Sequence, residues 1–83
     1  MELLRVRVDD VVPDPLQPRK DFEPEALQEL ADSIRIQGLK TPISVRLHPD
    51  PGPNTPRYQI IAGERRWRAH RLAGSPFIEG LLD

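Results

Sequence analysis

No cysteine occurs among the 83 residues, so the chain can form neither a disulfide framework nor a thiolate zinc site. Its two histidines, His48 and His70, are too few to hold a metal by themselves. Apolar residues make up 37% of the chain and charged residues 30%, too little hydrophobicity for a membrane span and too much for a disordered tail. Met1-Glu-Leu-Leu-Arg enters an alternating pattern at once, without the charged, apolar and small-residue series of a signal peptide, so a cytoplasmic setting is expected. There is no internal repeat and no low-complexity tract beyond proline-rich loops. What remains is one small globular domain with room for one core and one site, burying only about 60 to 65% of the surface its unfolded chain exposes.

A net charge of −1 excludes a uniformly basic nucleic-acid binder. The charge is nevertheless unevenly placed. Asp21, Glu23, Glu25, Glu29 and Asp32 face a single Arg35 between residues 21 and 37, whereas Arg65, Arg66, Arg68 and Arg71 face a single Glu64 between residues 63 and 71. One surface can therefore attract an anion while the whole stays near neutral.

Leu4, Val6 and Val8 alternate with Leu3, Arg5 and Arg7, the period of a half-buried strand. Pro13, Pro15 and Pro18 then remove donors and fix φ, so residues 11–22 are expected to form an extended, shaped loop. Pro24 suits the first turn of a helix, Gly38 suits its end, and Leu27, Leu30, Ala31 and Ile34 make an apolar stripe, so residues 23–37 read as an amphipathic helix. Its acidic first half favours the helix dipole. Residues 43–47 alternate as a second strand, and residues 48–56 read as a turn-rich hairpin connection. A third strand over 57–62 meets Gly63, a second helix runs from Glu64 to Ala73 and is closed by Gly74, and residues 76–82 are a last strand that Gly80 weakens.

The strand, glycine, helix order sets Glu64, Arg65 and Arg66 in a first helical turn, where unpaired N–H groups and the positive end of the dipole converge. Arginine grips phosphate oxygens bidentately. Neither the Walker loop nor the dinucleotide fingerprint is present, so the pattern is a phosphate site only in general form, set against ordinary solvated charge. On a helical wheel at about 100° per residue, Arg65 shares the stripe of Ala69, Leu72 and Ala73 and points to the core side or a cleft edge. Trp67, Arg68, His70 and Arg71 lie around the other side: Trp67 reads as a second packing surface in preference to a base-stacking platform, His70 as a surface residue, and Arg68 and Arg71 as pointing to solvent or a partner. Glu64 reads as a helix-start carboxylate ahead of a magnesium ligand. Arg19 and Lys20, in "QPRK", belong to a proline-stiffened loop that is either a solvated turn or a second anion clamp.

Taken together, "LQPRKDFEPEALQELADSI", "GLKTPISV" and "IIAGERRWRAHRLAG" resemble the N-terminal domain of the ParB-type partition proteins, over essentially all of residues 4–82. That resemblance implies an α+β fold of the ParB/sulfiredoxin-like kind, with a small mixed sheet and packed helices that bind CTP and Mg²⁺. In such proteins the nucleotide switches two N-terminal domains into engagement, closing the dimer as a sliding clamp on DNA, and slow hydrolysis resets it. Carried over, Gly63, Glu64, Arg65 and Arg66 match the phosphate-binding segment, with Glu64 near the metal and implicated in hydrolysis. Gln17 and Arg19 match the element beside the nucleotide, with Gln17 taken beside Glu64 as a catalytic candidate, and Thr41, Pro42 and Ile43 match the block lining the cytidine pocket. The resemblance further implies a cytoplasmic, nucleoid-associated protein with DNA, a second copy and a partition ATPase as partners. The chain stops at Asp83, before the family's second phosphate motif and its helix-turn-helix, and the short arginine-bearing tail that stimulates the ATPase is missing from the start. By itself the chain is therefore expected to act as a binding module. Sulfiredoxin shares the fold class, but its chemistry needs a cysteine.

Two other functions compete. A nucleotide-independent domain contacting DNA backbone would bind with a steep salt dependence, and its nuclease variant suffers from having Glu64 as the only carboxylate in the basic segment. A protein-interaction domain would set the acidic helix against a basic face of another copy.

Overall fold

The alternation over residues 3–8 resolves into β1 (Glu2–Arg7), with Val6 buried and Leu3, Arg5 and Arg7 exposed. The computed structural model describes residues 1–16, 22–38, 41–50 and 52–83. After β1 come a 3-10 turn (Val8–Asp10), β2 (Val11–Val12), α1 (Pro24–Gln37), β3 (Ile43–Leu47), β4 (Tyr58–Ala62), α2 (Glu64–Leu72) and β5 (Phe77–Leu82). In α1, Pro24 takes the first helical position, where a missing N–H costs nothing, and Gly38 ends the helix at φ 79° with its N–H donating to the Ile34 carbonyl at 2.8 Å. The stripe on that helix faces inward, since Leu27, Ala31 and Ile34 are all buried.

The strands form one mixed sheet in the order β1-β5-β3-β4-β2. β1 and β5 run antiparallel, β5 and β3 parallel, β3 and β4 antiparallel as a hairpin, and β2 and β4 parallel. The hairpin ladder continues one step past its strands, His48 donating its N–H to the Arg57 carbonyl at 2.8 Å. Two findings differ from the sequence expectation. Val11–Val12, expected as loop, pair with Tyr58 and Gln59 as a short strand on the sheet edge, where prolines beyond it do no harm. Gly80, expected to weaken the last strand, is buried and lies against Val45: a Cβ there would stand 3.4 Å from Val45 Cγ2. That is ordinary van der Waals distance, so β5 pairs with β3 at this position without requiring the glycine.

α2 touches both the sheet and α1, and this explains which of its residues are buried. Toward the sheet, Trp67 joins Val6, Val8, Val11, Ile43, Val45, Ile60 and Ile78, and its indole N–H donates to the Val8 carbonyl at 3.0 Å. Trp67 is thus a packing residue. Toward α1, Ala69 and Ala31 are each 0% exposed, small side chains that let the two helices approach closely, with Ile34, Leu30 and Ala73 beside them. Two corrections to the helical wheel follow. His70, expected at the surface, is 4% exposed; its Nδ1 lies 3.0 Å from the Arg66 carbonyl, which can only accept, so Nδ1 carries the donated hydrogen. Leu72, placed on the inner stripe, is 50% exposed.

Candidate functional site

β4 delivers the chain to Gly63, whose φ of 99° and ψ of 24° turn it directly into α2. A glycine is required there, because an added Cβ would lie 2.7 Å from Ile43 Cγ2 and 3.3 Å from Ile43 Cα. The first N–H used inside α2 is that of Trp67, donating to the Gly63 carbonyl at 3.1 Å, and among the described residues no side chain caps the end. The amides of Glu64, Arg65 and Arg66 are therefore left without intrahelical partners at the positive end of the dipole.

These residues form one rim of a cleft of about 420 Å³. Its other wall is apolar, made by Phe22 just before α1, Leu30 of α1, and Ile60, Ile61 and Ala62 of β4. Arg65 and Arg66 are exposed, and among the described residues neither has a carboxylate within ion-pair distance. Arg65 thus occupies the cleft edge, one of the two positions the wheel allowed. Glu64 is held instead: Arg68 Nε donates to Glu64 Oε2 at 2.9 Å, and the Glu64 side chain is only 11% exposed. Arg68 also lies over the Phe22 ring, 4.3 Å from its centroid. The wheel turns Arg68 to solvent or a partner; the structure leaves its side chain 39% exposed, in contact with Glu64 and Phe22. Arg71 is exposed, 5.0 Å from the Trp67 ring, with no ion pair among the described residues.

Other expected site residues fall elsewhere. Ile43 is 1% exposed in the core and contributes by supporting Gly63 from below, so its side chain forms no part of the cleft wall. Thr41 is exposed and Pro42 half-buried, and neither lines the cleft. Gln17 and Arg19 lie outside the described residues. The apolar wall of Phe22, Leu30, Ile61 and Ala62 was not singled out from the sequence; the signals were Phe22 sitting two residues before the helix-starting Pro24, and an apolar strand end running straight into Gly63.

Glu64 is the only carboxylate among the described residues that line the cleft, and the described residues hold no group of three or more His, Cys, Asp or Glu suited to a metal. That donor set does not make a self-standing metal site. It fits Mg²⁺ arriving with a polyphosphate, since such ions keep several waters and take one or two carboxylates together with phosphate oxygens.

The domain is a mixed-sheet α+β fold that carries, on one cleft, a left-handed glycine, a helix start and two arginines without an ion pair among the described residues, an arrangement of the kind that accommodates anions at helix N-termini. Residues 1–82 match the ParB N-terminal domain family. The chain belongs to that family. The probable chromosome-partitioning protein ParB of Coxiella burnetii is 51% identical over 73 residues, covering 88% of this chain and 23% of that protein. The chain thus spans about a quarter of the length of that relative. C-terminally truncated ParB from Caulobacter crescentus superposes in its complex with CTP-γ-S at a TM-score of 0.89, with 37% identity over 100% of this chain and 44% of that one. In its complex with the centromeric parS site it superposes at 0.87, with 39% identity over 96% of this chain and 40% of that one. Sulfiredoxin from Arabidopsis thaliana shares the architecture at a TM-score of 0.78 and 25% identity, over 100% of this chain and 85% of its own. The expected fold class is borne out.

Proposed function

We propose that this chain is the nucleotide-switch domain of a chromosome-partitioning protein, taking CTP with Mg²⁺ in the cleft at the start of α2. The observation that carries the reading is the amide row of Glu64, Arg65 and Arg66 at the helix start, flanked by two guanidiniums without an ion pair among the described residues and opening on a cleft of about 420 Å³. That size suits a small ligand, since such pockets run from about 300 to 1,000 Å³. The Caulobacter relative solved with CTP-γ-S supports the choice of ligand. In this reading the three amides and the Arg65 and Arg66 side chains hold the triphosphate, because charge-assisted bonds to phosphate are the strong ones. Glu64 is the cleft residue that would hold the metal, which when bound supplies charge neutralisation between phosphate oxygens. Glu64 and Gln17 are the candidates for slow hydrolysis, and Arg19, Thr41 and Pro42 for contacts to the rest of the nucleotide.

The same reading sets the domain within a longer, cytoplasmic and nucleoid-associated protein. There, nucleotide binding drives engagement of two N-terminal domains, clamp closure and spreading on DNA, with a partition ATPase as a further partner. The Caulobacter complex with parS supports DNA as the substrate of the whole protein. A nucleotide-independent DNA-backbone domain is the second reading, with Arg71 as its exposed contact.

Calorimetric titration of the chain with CTP, UTP and GTP in Mg²⁺ tests the proposal. Saturable binding selective for CTP is expected. Arg66→Ala is expected to weaken it by roughly 10- to 100-fold, the worth of about 1.5 to 3 kcal/mol for a bond to a charged group, with an unchanged thermal midpoint. Retained affinity in that variant would move the site away from α2. Binding to random-sequence DNA that falls steeply with salt and ignores CTP would favour the second reading.

A further inference from the structure

We infer that Arg68 is a positioning residue of the cleft, fixing the Glu64 carboxylate for a metal-bound polyphosphate and linking it to Phe22; the inference rests on the nucleotide reading of the cleft. Three observations carry it. Arg68 donates Nε–H to Glu64 Oε2 at 2.9 Å, one helical turn away, and this is the only hydrogen bond Glu64's side chain makes among the described residues. One carboxylate oxygen is therefore committed while the other keeps its acceptor capacity, in a side chain that is only 11% exposed. The Arg68 guanidinium also lies 4.3 Å from the centroid of Phe22, and Phe22 and Glu64 line the same cleft from different segments of the chain.

A guanidinium is suited to this double task. Its edge donates to a carboxylate while its face lies on a ring, whereas an ammonium would satisfy the carboxylate without presenting a plane to stack. Glu64 begins α2 and Phe22 precedes α1, so the one side chain ties the start of one helix to the approach of the other. Arg68 thereby acts on the ligand through Glu64, and its contribution belongs to the metal-dependent part of the affinity. Arg65 and Arg66, which have no such partner among the described residues, belong to the metal-independent part.

Two measurements test this. In the ligand-free chain, the Arg68 Nε–H resonance is expected to be shifted from those of the exposed arginines and protected from exchange, to lose the protection in Glu64→Ala, and to lose the ring-induced part of the shift in Phe22→Leu. An Arg68 signal like that of the exposed arginines would overturn the inference whatever the nucleotide does. CTP affinity is then measured with EDTA and with Mg²⁺ for wild type, Arg68→Gln and Arg68→Lys. Arg68→Gln is expected to keep the EDTA affinity within about twofold and to lose most of the gain that Mg²⁺ gives, with Arg68→Lys recovering part of it. An equal loss with and without Mg²⁺ would make Arg68 a direct phosphate contact, and no loss in either would remove it from the site; both outcomes overturn the inference while wild-type binding still upholds the nucleotide reading. Absence of CTP binding by the wild type in both conditions would overturn that reading, and this inference with it.

Discussion

Replacing Gly63 by alanine is expected to damage this domain more than its single added methyl suggests. At φ 99° and ψ 24° an L-residue carries the left-handed penalty of about 1 to 2 kcal/mol. The new Cβ would also lie 2.7 Å from Ile43 Cγ2 and 3.0 Å from Ile43 Cβ, in a side chain that is 1% exposed and cannot swing away. Overpacking of that kind costs about 1 to 3 kcal/mol. The sum is about 2 to 5 kcal/mol, against a total stability of about 4 to 12 kcal/mol for a chain of this length. At about 4 to 8 °C per kcal/mol, the thermal midpoint should fall by at least about 8 °C. The steric share can be isolated. Ile43→Ala alone should cost about 2 to 5 kcal/mol by opening a cavity, but it also removes the Cγ2 atom that the new methyl meets. The double variant should then lie about 1 kcal/mol or more above the sum of the singles, measured by urea denaturation. Additivity within about 0.5 kcal/mol would refute the contact with Ile43, and a midpoint for Gly63→Ala within about 2 °C of wild type would refute the requirement for glycine.

The other expectations concern stability and are read by thermal or chemical unfolding. Arg46 donates twice to Gln59 Oε1, at 2.9 and 2.7 Å, and Gln59 is 4% exposed. Arg46→Met should therefore cost about 1 to 3 kcal/mol by leaving a buried acceptor unsatisfied. The exposed pair of Arg57 and Asp10, 3.4 Å apart, should give a change within about 0.5 kcal/mol in Arg57→Ala. Ala69→Leu pushes a large side chain into the contact between α1 and α2, where Ala69 and Ala31 are 0% exposed, and should destabilise by about 1 to 3 kcal/mol.

Local signals carried much of the fold and part of the site. Alternation marked β1 and β3, Pro24 and Gly38 bounded α1, and the glycine between an apolar strand and an arginine-rich segment located the cleft rim, because each of these depends on neighbours in sequence. What escaped depends on partners far along the chain. Val11–Val12 become a strand only because β4 lies beside them, too short a pairing to leave a periodic trace. The helical wheel sets out one small-residue stripe with Trp67 as a second packing surface; α2 does bury Trp67 toward the sheet and Ala69 and Ala73 toward α1, but it also buries His70 and leaves Leu72 outside. For Arg68, read as facing solvent or a partner, the carboxylate contact is one helical turn away and within reach of a sequence argument, whereas the ring contact is with Phe22, 46 residues away in the chain.

The position of β5 governs how the chain can be assembled during synthesis. Although last in sequence, it occupies an interior place in the sheet, with β1 on one side and β3 on the other, and the Asp83 N–H extends its bonding to the Val45 carbonyl at 2.9 Å. Among the described residues β1 has no other strand neighbour. While a ribosome is still making residues 77–82, the first strand has nowhere to pair and one flank of the β3–β4 hairpin is open. Completion of the sheet therefore requires pairing between residues 2–7 and 77–82, the kind of non-local closure that slows folding.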